Sequence, residues 1–401
     1  MHGLFAQPRT GSALRTGAKA KYALRPGYKG IVSSPFNRSP DPTTNNMQLP
    51  TEPIGSIPRT PELIRAITSG APASTIEQLQ EQAITDTIQR FEETGSPVIT
   101  DGEQRKSSFA TYPLDGSLQV APGGMRIDFA DGHHRQLPLL TKGPFRFATY
   151  ADSYLADAQQ RTKLPVKQAV ISASALSLIY PAEGIPGYSR EAFIADLVNE
   201  CENDIRRCLH RGAWKVQTDF TEGRLSLKLD ASGGVLQQFI DLNNMVYDRF
   251  SAEERKKLGV HVCPGGDHDS THSADIDYAG LLAKLFQLNV GNFYLQLASE
   301  ADRPNVLRTI KQHLRAGQTV FIGVTNVLDP VIETAEQVRD RVLEAAQYIP
   351  LDQLGTTDDC GFSPFCDDVS TTRDTAFAKI KARVQGTRLA AERLAQEAAV
   401  R

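Results

Sequence analysis

The feature that most constrains this chain is a rhythm: from residue 54 onward, short apolar runs ending in polar or glycine residues alternate with longer amphipathic stretches. Strands alternating with helices in this way make a parallel α/β sheet. The runs are Ile54 to Ile57, Pro97 to Thr100, Lys167 to Ser172, Lys215 to Asp219, Val260 to Cys263, Asn292 to Gln296, Val320 to Gly323 and Leu354 to Thr357. Helical spacing is clearest over Pro61 to Ser69, Thr75 to Thr94, Arg190 to Arg211, Ala274 to Leu288, Asn305 to Ala316, Ala335 to Tyr348 and Thr372 to Val400. Eight strands suit a closed (β/α)8, or TIM, barrel, and 401 residues lie within the size that such a barrel reaches as one unit. Residues 106–165, with Gly123, Gly124, His133, His134 and several prolines, break the rhythm and read as an insertion or lid.

Ahead of the barrel, residues 1–46 set Arg9, Arg15, Lys19, Lys21, Arg25, Lys29 and Arg38 against Asp41, among many Gly, Ser, Thr and Pro. No core can be built from that composition, so these residues read as a flexible, disordered basic leader, with the folded domain spanning 47–401. An acid-poor, Arg-containing leader also suits a mitochondrial transit peptide, although it lacks an apolar stripe at helical spacing; a solvated extension or an upstream start at Met47 are the other readings. The formal charge of -3 gives no basic excess for a nucleic-acid backbone, and no run is long enough to cross a bilayer. The expected setting is cytoplasmic, with small molecules as partners and neither nucleic acid nor membrane. Oligomeric state is not written in the sequence.

Five cysteines, an odd number widely spread, make a poor disulfide framework and read as reduced thiols. His261 and Cys263 are two apart, and residues i and i+2 of a strand point to the same side. Gly265 and Gly266 then let the chain turn. In a closed barrel Cys360, ending the last strand, faces the same pore. One imidazole and two thiolates with an open position suit catalytic zinc. The alternative is a chance His-x-Cys with cysteines as small core residues. His268, His272, Asp267 and Asp269 are nearby rival ligands, but that segment reads as a loop and helix cap formed by Ser273 or Asp269. Ser56, Asp101, Glu103 and Asp219 end other runs, and the C-terminal ends of barrel strands converge.

The words IGSIPRT at 54–60, VITDGEQRK at 98–106, VQTDFTEG at 216–223, HVC at 261–263 and TTDDCGF at 356–362 resemble, in order and spacing, the catalytic half of cobalamin-independent methionine synthases, within the group that shares its barrel with uroporphyrinogen decarboxylase. The resemblance covers roughly residues 50–395. It implies zinc on His261, Cys263 and Cys360. It also implies a thiol substrate whose amino-acid part is held by Ile54, Gly55, Ser56, Glu103 and Asp219, with Glu103 and Asp219 the catalytic pair; the plain alternative is that these two make structural ion pairs with Arg105 or Arg224. Three positions depart from the family pattern. Gln296 stands where the family has a glutamate zinc ligand, Leu328 where it has a histidine thought to protonate the leaving folate, and Ser174 where it has a tryptophan under the pterin.

The thiol half of the site is therefore kept while the donor half has changed. The expected activity is a zinc-dependent thiol S-alkyltransferase, in which zinc-held thiolate attacks an electrophilic carbon of a non-folate donor such as an epoxide. TEPIGSIPR and TDGEQRK also look similar to the epoxyalkane:coenzyme M transferases. Methyl transfer to homocysteine is the alternative, and metal-free decarboxylation or a non-catalytic thiol-binding relative are further ones. Opening an epoxide needs an acid, for which His133, His134, Tyr180 and Arg105 are the candidates.

Overall fold

Six of the eight expected strands form one parallel sheet in the computed structural model, which describes residues 48–400; the expectations for the leader lie outside the described residues. These strands are β1 (Gln168–Ile171), β2 (Val216–Asp219), β3 (Leu258–Val262), β4 (Asn292–Leu295), β5 (Thr319–Gly323) and β6 (Leu354–Thr357). Each lies beside its neighbour in sequence. They are buried almost throughout, which is why they read as continuous apolar runs rather than alternating ones.

Ile54 to Ile57 and Pro97 to Thr100 are not strands. Each region is reduced to one parallel bridge, Thr51 with Thr356 on β6 and Ile99 with Val166 ahead of β1. Pro50, Pro53, Pro58 and Pro97 explain the loss, because proline has no N–H to give a ladder. The bridge bonds that remain are Glu52 N to Thr356 O at 3.0 Å, Thr356 N to Pro50 O at 2.9 Å, Ile99 N to Pro165 O at 3.0 Å and Lys167 N to Ile99 O at 2.8 Å.

Aromatic rings fill the inner face of the sheet. Tyr294 on β4 stacks on Phe321 of β5 at 4.7 Å and 20°. Both rings lie over strand glycines: a Cβ at Gly259 would come 2.7 Å from the Tyr294 ring, and one at Gly355 2.6 Å from that of Phe321. Near the start of the strands, Lys167 sits 3.8 Å from the Tyr294 ring centre and gives a hydrogen bond to Gln217, while Glu52 accepts from Tyr294 and pairs with Lys215 at 2.9 Å. One end of the sheet is thus plugged by rings and ion pairs, and the polar ends of the strands are left to build a site.

The expected helices form with small shifts, at Pro61–Thr68, Ala73–Thr94, Arg190–His210, Arg303–His313, Ala335–Ala345 and Arg373–Val400. Helices at Glu222–Leu229 and Gly234–Tyr247 had no sequence expectation, since Gly223, Asp230, Gly233 and Gly234 punctuate that stretch. The helix expected from Ala274 starts at Tyr278, capped by Asp277 rather than by Ser273 or Asp269. The residues before it are used otherwise: Gly266–Asp267 pairs with Ser270–Thr271 in a tight hairpin, with His268 and Asp269 at φ of 48° and 56°. The stretch 106–165 holds short paired strands, including Arg126–Asp128 with His134–Gln136, and a helix at Asp152–Gln159. No helix among the described residues is long and apolar enough to cross a membrane.

Candidate metal centre

Register brings the first groups together. Asp219 on β2 and Tyr294 on β4 both pair with His261 on β3, so the three share the inner face. The Nδ1 of His261 lies 3.2 Å from the Tyr294 carbonyl oxygen. A carbonyl can only accept, so Nδ1 carries the hydrogen and the lone pair of Nε2 is free; that atom is buried without a partner. Cys263 follows β3, and its sulfur lies 2.9 Å from that of Cys360, which ends the segment after β6. One ligand atom from each of His261, Cys263 and Cys360 lies within 4.8 Å of the others. Their shared contact holds the Cys263 thiol well below its usual range, and the same contact, with burial, pushes Cys360 up. An unpartnered imidazole nitrogen, oriented through its other nitrogen, beside two thiol sulfurs is a donor set that fits zinc.

A cavity of about 240 Å³ lies over this cluster. Ile54, Gly55, Ser56, Glu103, Asp219, His261 and Cys360 all line it, whereas Asp101 is buried behind it. Glu103 has φ of 58°, a left-handed conformation unusual for a side chain of its size. It is pinned by Arg59, whose Nη2 donates to the Glu103 carbonyl at 2.6 Å and to that of Lys106 at 3.0 Å. The expected alternative partners are not used: Glu103 pairs with Lys106 at 3.1 Å, Arg105 with Glu81 and Asp157, and Arg224 with Glu300. Oε2 of Glu103 is buried without a partner. Asp219 accepts from Gln217 at 2.8 Å, and burial, together with the charge of Glu103, raises its carboxyl to about 6. Two carboxylates beside the single ammonium of Lys106 give this wall an anionic character.

The opposite wall comes from the insertion. Ile127, Phe129, Gln136 and Leu137 line it together with Phe109 and Phe365. The hairpin carrying them is fastened by Arg135, whose Nε and Nη2 reach Asp267 at 2.5 and 3.1 Å and whose Nη1 and Nη2 reach Asp367 at 2.9 and 2.8 Å.

None of the four residues expected as an acid lines the cavity. His133 contacts Asp131 and Asp267, Tyr180 donates to the Tyr188 carbonyl, Arg105 is spent on its ion pairs, and His134 lies on the exposed side of its strand. The cavity instead receives His272, buried and pulled down by burial to about 4, hence neutral at physiological pH. The GG pair at 265–266 leaves room for its ring, but a glycine pair marks any turn and does not by itself point to His272. Gln296 donates to Ser299 at 2.7 Å and accepts from Arg224 at 3.3 Å, Leu328 lies outside the cavity, and Ser174 joins a buried cluster with Ser172, Glu222 and Asn243.

Residues 232–385 match the model of the family described as "Cobalamin-independent synthase, Catalytic domain", a stretch that holds His261, Cys263 and Cys360 but not Ser56, Glu103 or Asp219. A 5-methyltetrahydropteroyltriglutamate--homocysteine methyltransferase of Trichodesmium erythraeum (strain IMS101) is 24% identical over 386 residues, covering 91% of this chain and 48% of that protein. A 2-hydroxypropyl-CoM lyase of Xanthobacter autotrophicus (strain ATCC BAA-1158 / Py2) is 32% identical over 97 residues, 24% of each chain. Among solved structures, a B12-independent methionine synthase from Shewanella sp. W3-18-1, in complex with selenomethionine, superimposes with a TM-score of 0.69 at 18% identity, over 86% of this chain and 99% of that one; this likeness is one of fold. The chain is similar to the cobalamin-independent methionine synthases, as its sequence motifs imply.

Proposed function

We propose that this protein alkylates a small-molecule thiol at a zinc site made by His261, Cys263 and Cys360. The observation that carries the reading is the meeting of these three donors, one of them a buried and unpartnered imidazole nitrogen, at the floor of a cavity that also exposes Glu103 and Asp219. Zinc held there would supply the Lewis acidity that keeps a thiol ionised, and so nucleophilic, at neutral pH. The chain's own groups orient the substrate. The free Oε2 of Glu103 and the carboxyl of Asp219 suit an ammonium. Gly55 and Ser56 line the cavity and their backbone suits a carboxylate, and Gly361 beside them leaves that space open, since a Cβ there would lie 2.2 Å from Ser56 Oγ. The apolar roof excludes water, which would otherwise compete for the electrophile.

We read the electrophile as small and not a folate. The cavity, at about 240 Å³, lies below the ~300–1,000 Å³ usual for larger ligands, and Ser174 and Leu328 offer neither a stacking ring nor a proton. An epoxide fits this description, and the 2-hydroxypropyl-CoM lyase match supports it over a short segment. Methyl transfer to homocysteine is the second reading, supported by the activity named for the Trichodesmium relative. We further read residues 47–401 as one (β/α)8 barrel, closed by the bridges at Thr51 and Ile99 and by the Ile57 N to Gly102 O bond of 3.0 Å, with 1–46 as a leader apart from it.

The test is bound metal per chain in wild type and in Cys263→Ala, alongside thiol consumption with homocysteine or coenzyme M and either methyltetrahydrofolate or a small epoxide. Near-stoichiometric zinc lost in the variant, with turnover on the epoxide, is expected. Methionine formation would move the conclusion to the second reading, and protein free of zinc would overturn both.

A further inference from the structure

We infer that His272 is a catalytic residue of the reaction proposed above, its Nε2 being the group that meets the electrophile's leaving atom as its bond to carbon breaks. The inference rests on the thiol-alkylation reading and adds to it a donor for the leaving atom. An electrophile opposite His261 and Cys360 lies between the carboxylates of Glu103 and Asp219 and the side chains of Ile127, Phe129 and Leu137, none of which stabilises negative charge developing on a leaving oxygen; of the donors that share the cavity, Arg135 is held by Asp267 and Asp367, and Gln136 Nε2 donates to the Gly124 carbonyl. His272 lines the same cavity.

Its ring is held from several sides. Nδ1 lies 2.6 Å from Ser273 Oγ, and the edge of the ring meets Phe129 of the roof at 5.5 Å and 72°. It packs on Gly265 so closely that a Cβ there would fall 1.7 Å from Nε2. The backbone is fixed as well: His272 N donates to Gly265 O and Ser273 N to Pro264 O, each at 3.1 Å, and Lys228 Nζ donates to His272 O at 2.9 Å. Among the described residues, Nε2 is the ring nitrogen with no hydrogen-bond partner. The Ser273 hydroxyl can donate to Nδ1, and we assign this tautomer, which puts the single hydrogen of the neutral ring on Nε2 and presents it to the cavity. A donor locked by packing and by a bond through its other nitrogen is the arrangement that electrostatic stabilisation of a leaving oxygen requires. Leu328, at the place where relatives are expected to carry a histidine, is served by the next glycine: a Cβ at Gly266 would lie 3.7 Å from Leu328 Cδ2. The two glycines thus seat a ring that can donate and an alkyl chain that cannot.

For an epoxide the step balances without a further reagent. The thiol gives up its proton on ionising, its sulfur forms the bond to carbon, and the carbon–oxygen pair passes to oxygen. The alkoxide accepts a hydrogen bond from His272 and ends with the proton that the thiol released, so the net change is addition of the thiol across the ring.

The test compares wild type, His272→Ala and His272→Gln with homocysteine or coenzyme M as thiol and two electrophiles, epoxypropane and iodomethane, whose leaving iodide needs little help from a donor. Zinc content and melting temperature are read on the same preparations. In His272→Ala, kcat/KM for epoxypropane should fall by roughly 10²–10³-fold, the usual loss for one oxyanion donor, with zinc and iodomethane alkylation nearly unchanged; His272→Gln, which keeps an N–H, should recover part of the loss. An equal fall with both electrophiles, unchanged epoxide turnover, or loss of zinc from both variants would overturn the inference. So would wild-type protein that alkylates the thiol with iodomethane but leaves epoxypropane intact, with the thiol reading still standing. No thiol alkylation with either electrophile would overturn both.

Discussion

Replacing Arg135 with alanine should loosen the roof of the cavity without loosening the sheet below. Arg135 is the main fastening of the Arg126–Gln136 hairpin, bidentate to an Asp267 side chain that has no solvent exposure and to an Asp367 side chain that is 38% exposed. Removing one partner of a buried ion pair costs ~3–5 kcal/mol, chiefly because the other charge is stranded. Here Arg135 is itself 25% exposed and His133 Nε2 stays 3.1 Å from Asp267, so water and imidazole relieve part of that cost and about 2–3 kcal/mol is the better figure. The hairpin's other ties, Ala130 N to Thr271 O at 3.0 Å and Asp131 N to Ser270 Oγ at 3.2 Å, are too few to resist opening. Local opening should then be roughly 30- to 150-fold more frequent, at about 1.4 kcal/mol per factor of ten. Hydrogen exchange by mass spectrometry reads this directly: peptides over 126–136 should exchange faster by that factor, and those over β3 should not. Arg135→Lys should recover little, since an ammonium lacks the planar fork. Arg135→Met with Asp267→Asn should recover most of the protection, because no charge is then stranded. Unchanged exchange in the hairpin, or equal acceleration in β3, would refute the assignment of Arg135 as its latch.

Gly265→Ala should cost at least ~1–2 kcal/mol, since Gly265 has φ of 70°, and should also evict the His272 ring; calorimetry should find a lower melting temperature. Gly361→Ala places a Cβ against Ser56 and should raise KM for the thiol with kcat little changed, the pattern of lost ground-state binding in steady-state kinetics. Lys167 is fully enclosed, and burial, opposed by Glu52 and reinforced by Lys215, pulls its ammonium down to about 7. The unfolded side chain holds its proton to about pH 10.4, so between about pH 7 and 10 the unfolded state binds more protons and stability should rise with pH. Urea unfolding at pH 7 and 9 should find that slope in wild type and a weaker one in Lys167→Met.

How far the fold could be read depended on whether burial left a periodic mark. The strands β1 to β6 did, because both of their faces are covered; Thr51 and Ile99, hemmed in by prolines, made single bridges that no alternation could reveal. His261 and Cys263 were legible from their spacing, and Cys360, Glu103 and Asp219 from their places at the ends of apolar runs, with the roles of the last two implied only by the family resemblance; the cavity gathers four of these five along its wall. Lys106, Arg135 and His272 were not legible as site residues. Arg135 meets its partners across 132 and 232 positions of sequence. His272 reaches the cavity only because the chain reverses through Gly265 and again through the left-handed pair His268 and Asp269. A reversal of that kind has no period, so a histidine beyond it looks like any loop residue.

The three departures from the family pattern can be weighed by what surrounds them. Gln296 lies between Ser299 and an Arg224 that already pairs with Glu300 at 2.8 Å. A glutamate there would bring a second buried carboxylate to one guanidinium, and neutral glutamine keeps the charges matched. Ser174 accepts from Asn243 at 2.7 Å and donates to Glu222, whose carboxyl burial raises to about 7. Asn243 closes the pair from the other side, taking the Ser174 backbone N–H at 3.2 Å on its side-chain oxygen. A site losing its function by drift would strand polar atoms at the changed positions, because nothing would select for their partners. Gln296 and Ser174 instead have partners that include residues far away in sequence, Arg224 for the one and Glu222 and Asn243 for the other, and Leu328 packs as an apolar side chain against the core. Meanwhile His261 Nε2 and Glu103 Oε2, at unchanged positions, are buried without protein partners on the cavity wall, where a bound metal and substrate would satisfy them. Glu222 Oε2 and Arg224 Nε, beside the altered positions, also lack partners, so the difference lies in place: Gln296 and Ser174 are themselves bonded away from the cavity, whereas His261 and Glu103 line it, which favours a reaction that was redirected over one that was lost.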